Sequence, residues 1–428
     1  MLDAYGQKFK LQKTNAKISS NAGLVLIDKM AQALGVSTSI DEKLGHLKLR
    51  NRGYTISEKV MDLVRLYVSG GDVISDIRQL RLDGVVKGYL GRDSIMACST
   101  AVEFMAQLGY AEVNALSQVA GRVARDTLHL NNNRTATLDV DATFIEAWKR
   151  DAMMSYHGTR GYYPMLGFVA ETKGLVLSEF RDGNISPAAD APGFLRRLIS
   201  RLPKTVEKIR LRSDAAWFNH EVMDYCAKKG IEFAITASKN THTLQLIERI
   251  PDEQWEVFGD IPDEKIADTV YSFEHGERAY RLIVVRKPVS QFTMFGGNYV
   301  YRVIITNMDW EKRRLVMWHR ERATSENWIK EMKGGFSLER LPSGKFLSNA
   351  AFLQIISLAY NLVEALKVLG LPHEYRMFTV KSLRYRLFNI PAIWVRHARQ
   401  WVLKLSVDKK LFDLISTLLI QPLKLCRT

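Results

Sequence analysis

The feature that most restricts the fold is a change of period near residue 131. After the turn cluster Asn131-Asn-Asn133, Leu138, Val140, Ala142 and Phe144 alternate with Thr137, Asp139, Asp141 and Thr143. Period two is the mark of a strand, so Asp139 and Asp141 project from the same side. Two further strand-like runs, 165–170 and 175–180, are joined by Glu171-Thr-Lys-Gly174, a hairpin signal. A helix is expected over 187–202, with Pro192 near its start. A strand over 206–211 runs on to Asp214, a helix over 218–229 stops at Gly230, and a strand covers 231–236. The order strand, strand, strand, helix, strand, helix, strand requires an α/β core around one sheet.

The flanks differ. Residues 1–130 read as helical: Asn21 to Gly35 carries an apolar helical stripe, and 56–68, 93–108 and 113–129 are further amphipathic stretches. Gly70-Gly71, Gly84 and Gly91 mark turns between them. Short helices with tight turns and scattered Arg and Lys suit either a DNA-reading unit or a plain bundle. Residues 241–302 are richer in β-like runs, with turn signals at Gly276 and Gly296-Gly297, and read as a mostly β insertion. The core resumes over 303–371 and ends in a long apolar helix. Gln354, Asn361, Glu364 and Lys367 mark that helix as buried in protein, since a bilayer span rarely tolerates so many polar groups. Residues 372–428 form a basic tail, expected to be helical.

Charge narrows the partners. Lys and Arg exceed Asp and Glu by 61 to 46, a net charge of +15, which favours a polyanion and most simply nucleic acid. Cys98, Cys226 and Cys426 are far apart and form no CxxC pair, which points to a reducing compartment such as the cytoplasm and away from zinc or a disulfide framework. No basic-then-apolar signal pattern opens the sequence, and no membrane association is expected.

The stretch Trp318-His-Arg-Glu-Arg-Ala-Thr-Ser-Glu-Asn-Trp-Ile-Lys-Glu-Met-Lys333 has no Pro or Gly and reads as one helix. At ~100° per residue, His319, Arg322, Glu326 and Lys333 fall on one face, with Lys330 close to the same line. One acid embedded among cations suits a metal ligand beside phosphates, although a salt-bridged surface helix has the same composition. Three acids then stand at element ends: Asp141, Asp214 and Glu326. Groups at the carboxyl ends of neighbouring strands converge on one crevice. Carboxylates gathered there repel one another unless cations are present, and Mg²⁺, or Mn²⁺ in its place, fits oxygen donors. Any one acid alone reads more simply as an N-cap or a salt bridge.

At this point the chain resembles the DDE transposases of bacterial insertion sequences. One branch carries a Tyr-x2-Arg-x3-Glu-x6-Lys signature, and here the same spacing reads His319-x2-Arg322-x3-Glu326-x6-Lys333, with His in place of Tyr. Leu138-Asp-Val-Asp-Ala-Thr-Phe144 resembles the first-acid motif, in a form that favours Asp141 over Asp139, and Leu211-Arg-Ser-Asp-Ala-Ala-Trp217 resembles the second. Ser20-Asn-Ala-Gly-Leu24 and Asn349-Ala-Ala-Phe-Leu-Gln354 resemble the subgroup named for insertion sequence thirteen-eighty. The resemblance implies an RNase H-like core and two divalent ions per site held by Asp141, Asp214 and Glu326. It also implies cut-and-paste transposition of double-stranded DNA, at inverted-repeat ends and in target DNA, by a homodimer. Arg322 and Lys333, with His319 and Lys330 beside them, would hold phosphate. An aromatic of the insertion, Tyr299 or Tyr301, would stack a displaced base, although sheet packing is the simpler reading of both. A metal nuclease that cuts without joining, or a silent DNA-binding derivative, would share the acids or the charge.

Overall fold

A computed structural model describes residues 2–4, 7–50, 52–156, 158–259, 263–274, 278–289 and 299–420. Gly276, Gly296, Gly297 and Cys426 lie outside the described residues. Three short strands come first, β1 (Leu2–Ala4), β2 (Gln7–Phe9) and β3 (Ile18–Ser19). Helices α1 (Val25–Ala33), α2 (Val36–Leu44), α3 (Ile56–Ser69), α4 (Ile77–Leu82), α5 (Gly84–Tyr89), α6 (Cys98–Gln107) and α7 (Tyr110–Leu130) follow. Local chemistry sets their ends. Thr55 and Glu58 close a capping box at the start of α3, and Gly70, at φ 104°, takes the left-handed turn that ends it.

The alternating stretch is β4 (Thr135–Ala142). An excursion of three short strands comes next, β5 (Ile145–Glu146), β6 (Met153–Met154) and β7 (Arg160–Tyr162), paired among themselves in the order β5-β7-β6. The chain then returns along β8 (Met165–Val169) and β9 (Gly174–Glu179), and continues through α8 (Ala191–Ser200), β10 (Lys208–Ser213), α9 (His220–Lys228) and β11 (Glu232–Thr236). In the sheet these strands lie β9-β8-β4-β10-β11, with β10 parallel to both β4 and β11, and β8 antiparallel to β4. That order and polarity are those of an RNase H-like core, inside an α/β fold. The region after it holds α10 (Thr241–Glu248), β12 (Glu256–Val257), β13 (Lys265–Ser272), β14 (Ala279–Pro288) and β15 (Tyr299–Thr306). Among the described residues it builds no separate sheet: β15 pairs antiparallel with β11, and β12 to β15 extend the core sheet.

The stretch read as one helix over 318–333 is broken. It forms α11 (Lys312–Arg320) and α12 (Ala323–Lys330), followed by a wide turn at Glu331–Gly335. The cause is local. The Thr324 and Ser325 hydroxyls donate to the carbonyls of Glu321 and Arg322, at 2.7 and 2.8 Å, in competition with the helical ladder. The apolar helix is α13 (Phe346–Ala365), and its polar residues are satisfied inside the protein. Asn361 bonds both backbone groups of Leu175, Gln354 bonds Ser178, and Lys367 pairs with Glu364. Residues 346–370 are long and apolar enough to cross a membrane, and 89% of their most apolar 18-residue stretch is buried in the fold.

The tail corrects the expectation of an all-helical C-terminus. Between α14 (Val380–Leu383) and α15 (Lys409–Ile420) it forms the hairpin β16 (Ala392–His397) and β17 (Gln400–Leu405). Ile393, Trp394, Val395, Trp401, Val402 and Leu403 are strand formers. Ala398 and Arg399 adopt φ 47° and 65°, the two positive angles of a tight hairpin turn. The other edge of β16 pairs with β3, so residues 18–19 share a sheet with residues 392–405. One apolar cluster runs from Ala22 to Leu418 and joins α1, α3 and α7 to α13; a second fills the space between the sheet and α8 and α9.

Candidate active site

Strand register places the first two acids. In β4 and β10, Arg212 lies opposite Asp139 and Ser213 opposite Val140. Asp141 and Asp214 are the next residues on each strand, so they leave the carboxyl ends of adjacent parallel strands side by side. The side chain of Asp214 also accepts from Ala216 N–H at 3.0 Å, which fixes the turn into residues 215–217.

The two aspartates of β4 have different surroundings. Asp139 is fully buried and receives two 2.7 Å bonds from Arg212, a bidentate pair. Arg212 also donates to the Trp318 carbonyl at 2.7 Å and to Glu321 at 3.1 Å, so it locks the end of α11 to the sheet. Asp141 is half-buried. Its nearest cation is Arg322, at 3.4 Å. Burial pushes the Asp141 carboxyl up to about 6 against the pull of Arg322, and the negative charges of Asp214 and Glu326 push the same way. Asp141 therefore feels both Asp214 and Glu326, while Asp139 is taken by Arg212.

Glu326 is exposed on α12. The helix is seated by Ser325, Trp328 and Ile329, all buried, with the Trp328 ring 5.4 Å from Phe168 of β8. Arg322 stands at the N-terminus of α12 and faces Asp141. His319 ends elsewhere: its Nε2 lies 3.3 Å from the Ser213 carbonyl, to which it donates in that tautomer, and 3.5 Å from Thr236 Oγ1. Burial, with Arg322 and Arg212 nearby, pushes its imidazole down to about 4, so it is neutral at pH 7 and ties α11 to the ends of β10 and β11. Lys333 donates to the Phe144 carbonyl at 2.9 Å and pairs with Glu339 at 3.2 Å. Lys330 is exposed and lines a cleft of ≈ 690 Å³ with Arg212, Glu321 and Lys381. Tyr299 and Tyr301 pack at 6.3 Å on the extended sheet, and the Arg286 guanidinium lies 4.8 Å from the Tyr299 ring.

Two features escaped sequence reasoning. The first is Arg212, whose signal was available: Arg-x-Asp on one strand faces Asp-x-Asp on its parallel neighbour. The second is the excursion over β5 to β7, where strands of two or three residues are too short to show a period.

A comparison with protein families settles the kinship: the family described as transposase DDE domain, group 1, matches residues 4–425. The chain belongs to this DDE transposase family. No curated protein matches it. Among solved structures, the synaptic complex of piggyBac transposase with hairpin DNA, determined by cryo-electron microscopy, is similar at 11% identity and a TM-score of 0.47, over 92% of this chain and 85% of that one.

For a DDE domain the donor set bears on metal. Among the described residues no three His, Cys, Asp or Glu side chains form a ready metal cluster. The chemistry of Asp141, Asp214 and Glu326 nonetheless fits a divalent ion: all are hard oxygen donors, and burial, with the charges of Asp214 and Glu326 added, raises Asp141. Arg322 supplies the compensating positive charge in this structure.

Proposed function

We propose that this chain is the transposase of an insertion sequence of the thirteen-eighty subgroup, acting by cut-and-paste. The observation that carries this is the pairing of Asp141 and Asp214 at the ends of adjacent parallel strands, with Glu326 in electrostatic reach. When bound, two Mg²⁺ or Mn²⁺ ions would supply Lewis acidity for phosphodiester chemistry. Asp141, Asp214 and Glu326 would hold them. Water then forms a bond to phosphorus while the bond to the 3′ oxygen breaks, leaving a 3′-hydroxyl and a 5′-phosphate. That hydroxyl next attacks a phosphodiester of target DNA and displaces its 3′ oxygen, so the joining step balances without further hydrolysis.

The protein's own groups position the DNA. Arg322, which pairs with Asp141 here, would be placed to hold a phosphate beside the cut. The exposed Lys330 at the end of α12, and Lys333 in the turn after it, would extend the basic surface. His319, neutral and turned to Ser213, acts by holding α11 in place beside Arg322. Residues 1–130 and 372–428, in both of which Lys and Arg outnumber Asp and Glu, are assigned to holding transposon ends in a homodimer, and residues 241–302 to bracing the distorted duplex.

The test uses DNA with the element's inverted-repeat ends. Asp214→Asn is expected to abolish Mg²⁺-dependent cleavage and leave end binding in a gel-shift assay within about twofold, because its charge is needed for the ion rather than for contact with DNA. Full cleavage by that variant rejects the assignment. Offering a precut end with a free 3′-hydroxyl separates joining from cutting: cleavage without transfer identifies a nuclease.

A further inference from the structure

Behind the helix that carries Glu326, on the side away from that acid, lies a cleft of ≈ 690 Å³. Thr324 and Trp328 line it, and at ~100° per residue both stand about 160° around α12 from Glu326. The facing wall is the tail from Met377 to Lys381. Lys173, in the turn between β8 and β9, and Lys367, just past α13, line it as well. The volume falls within the range of about 300–1,000 Å³ that holds small molecules.

The charges of the cleft do not balance. Glu321 accepts from Arg212 at 3.1 Å, the Glu331 carboxylate accepts from the Val380 N–H, and Lys367 is matched by the buried Glu364. Lys173, Lys330 and Lys381 remain, and among the described residues none of them pairs with a carboxylate. Lys173 is the most enclosed of the three. Its Nζ donates to the Arg376 carbonyl at 2.9 Å, and its own carbonyl accepts from the Tyr360 hydroxyl at 2.9 Å, so the residue is anchored at both ends. Burial pulls its ammonium below the ordinary value, and Lys367 and Arg376 add to that against Glu364 and Glu331. An anion brought beside it offsets that cost. Between the lysines the wall is apolar: Trp328 and Val380 are buried, and Phe378 and Ala170 are half-buried. Cations around an apolar wall match a flat organic body that ends in an anionic group. Duplex DNA offers phosphate and sugar at its outer surface, which would satisfy the lysines and leave the apolar wall against water.

We propose that the cleft behind α12 binds a small planar organic anion, an aromatic ring system bearing a phosphate or carboxylate, with its ring against Trp328 and Phe378 and its charge on Lys173 and Lys381. The site does not rest on the DNA-cleaving reading, because its occupancy is measured without DNA. An occupant joins α12 to the tail, adding to the Glu331–Val380 bond, so binding raises thermal stability.

The experiment titrates the full chain with 1-naphthyl phosphate by isothermal calorimetry, with inorganic phosphate and 1-naphthol as probes of each half alone. The chain is expected to bind 1-naphthyl phosphate at a single site, about tenfold or more tighter than either half, and to melt at a higher temperature in its presence. Lys381→Glu, at an exposed position, should weaken binding about tenfold, and so should Lys173→Met, which keeps an aliphatic stem and loses the charge. Lys239→Glu makes the same change in net charge outside the cleft and should leave binding within about twofold. Circular dichroism checks the fold of each variant, and if Lys173→Met does not fold, Lys381→Glu decides alone. No binding by wild type overturns the site, and so does binding that Lys381→Glu leaves intact. Inorganic phosphate that binds as tightly as 1-naphthyl phosphate overturns the part given to the apolar wall. A short DNA duplex that displaces the probe, and whose own binding is lost in Lys381→Glu, makes the cleft part of the DNA surface and overturns the small-anion assignment.

Discussion

Residue by residue, the site separates charges that are meant to stay from charges that are meant to change partner. Arg212 and Asp139 belong to the first kind: both are buried, bidentate and tied to α11. Removing one member strands the other in a medium that solvates it poorly. Arg212→Met is expected to destabilise the protein by about 3–5 kcal/mol, and adding Asp139→Leu should recover a large part of that loss, both read from urea unfolding. Asp141 and Arg322 belong to the second kind, a longer, half-buried pair at 3.4 Å that the proposed reaction would exchange for an ion and a phosphate. His319 supplies a pH dependence whose sign is fixed by its burial. Its unfolded imidazole titrates near 6.5 and its folded one near 4, so above 6.5 both states are neutral. As pH falls through that window the unfolded chain takes the proton first and stability is lost. The expected loss is about 2 kcal/mol between pH ~7 and pH ~5, at ~1.4 kcal/mol per pH unit. His319→Gln should remove that slope in denaturant midpoints; an equal slope in both proteins would refute the neutral, tethered imidazole.

The elements show how little of the site rests on the acids themselves. Glu326 is exposed, and its position depends on α12, which is short and seated by Trp328 against Phe168. Trp328→Ala opens a cavity under that helix and should cost about 3–5 kcal/mol. It should also reduce cleavage more than tenfold while DNA binding falls less. Comparable losses of both would mean that α12 serves contact rather than catalysis. The strands of the core were readable because period two survives over runs of five or more residues. The break after Arg320 was not, because it depends on which carbonyls the Thr324 and Ser325 hydroxyls take. The acids were legible as a set through their spacing and resemblance. Their sorting was not: Asp139 and Asp141 look alike in sequence, and the difference between them is Arg212, which sits 71 positions beyond Asp141 in the chain.

Across the whole molecule, the two ends of the chain and its middle form one cooperative body. The apolar cluster joins the first helices to α13, and β16 takes β3 as its partner. A fragment beginning at residue 131 would expose the face of α13 that α3 and α7 cover. It is therefore expected to be insoluble or to lack a cooperative thermal transition, and a sharply melting, monomeric fragment would show instead that the core stands alone. By itself the sequence determined the elements whose period is long, the burial of the apolar helix, the net charge and the acids with their spacing, since these follow from local geometry and composition. Only the tertiary structure decided which aspartate is spent on an arginine, that the tail pairs with β3, and that the stretch over 318–333 is broken into two helices. The break follows from the carbonyls that the Thr324 and Ser325 hydroxyls take. The other two depend on contacts between residues distant along the chain, where strand register and burial, rather than neighbouring residues, set the energy.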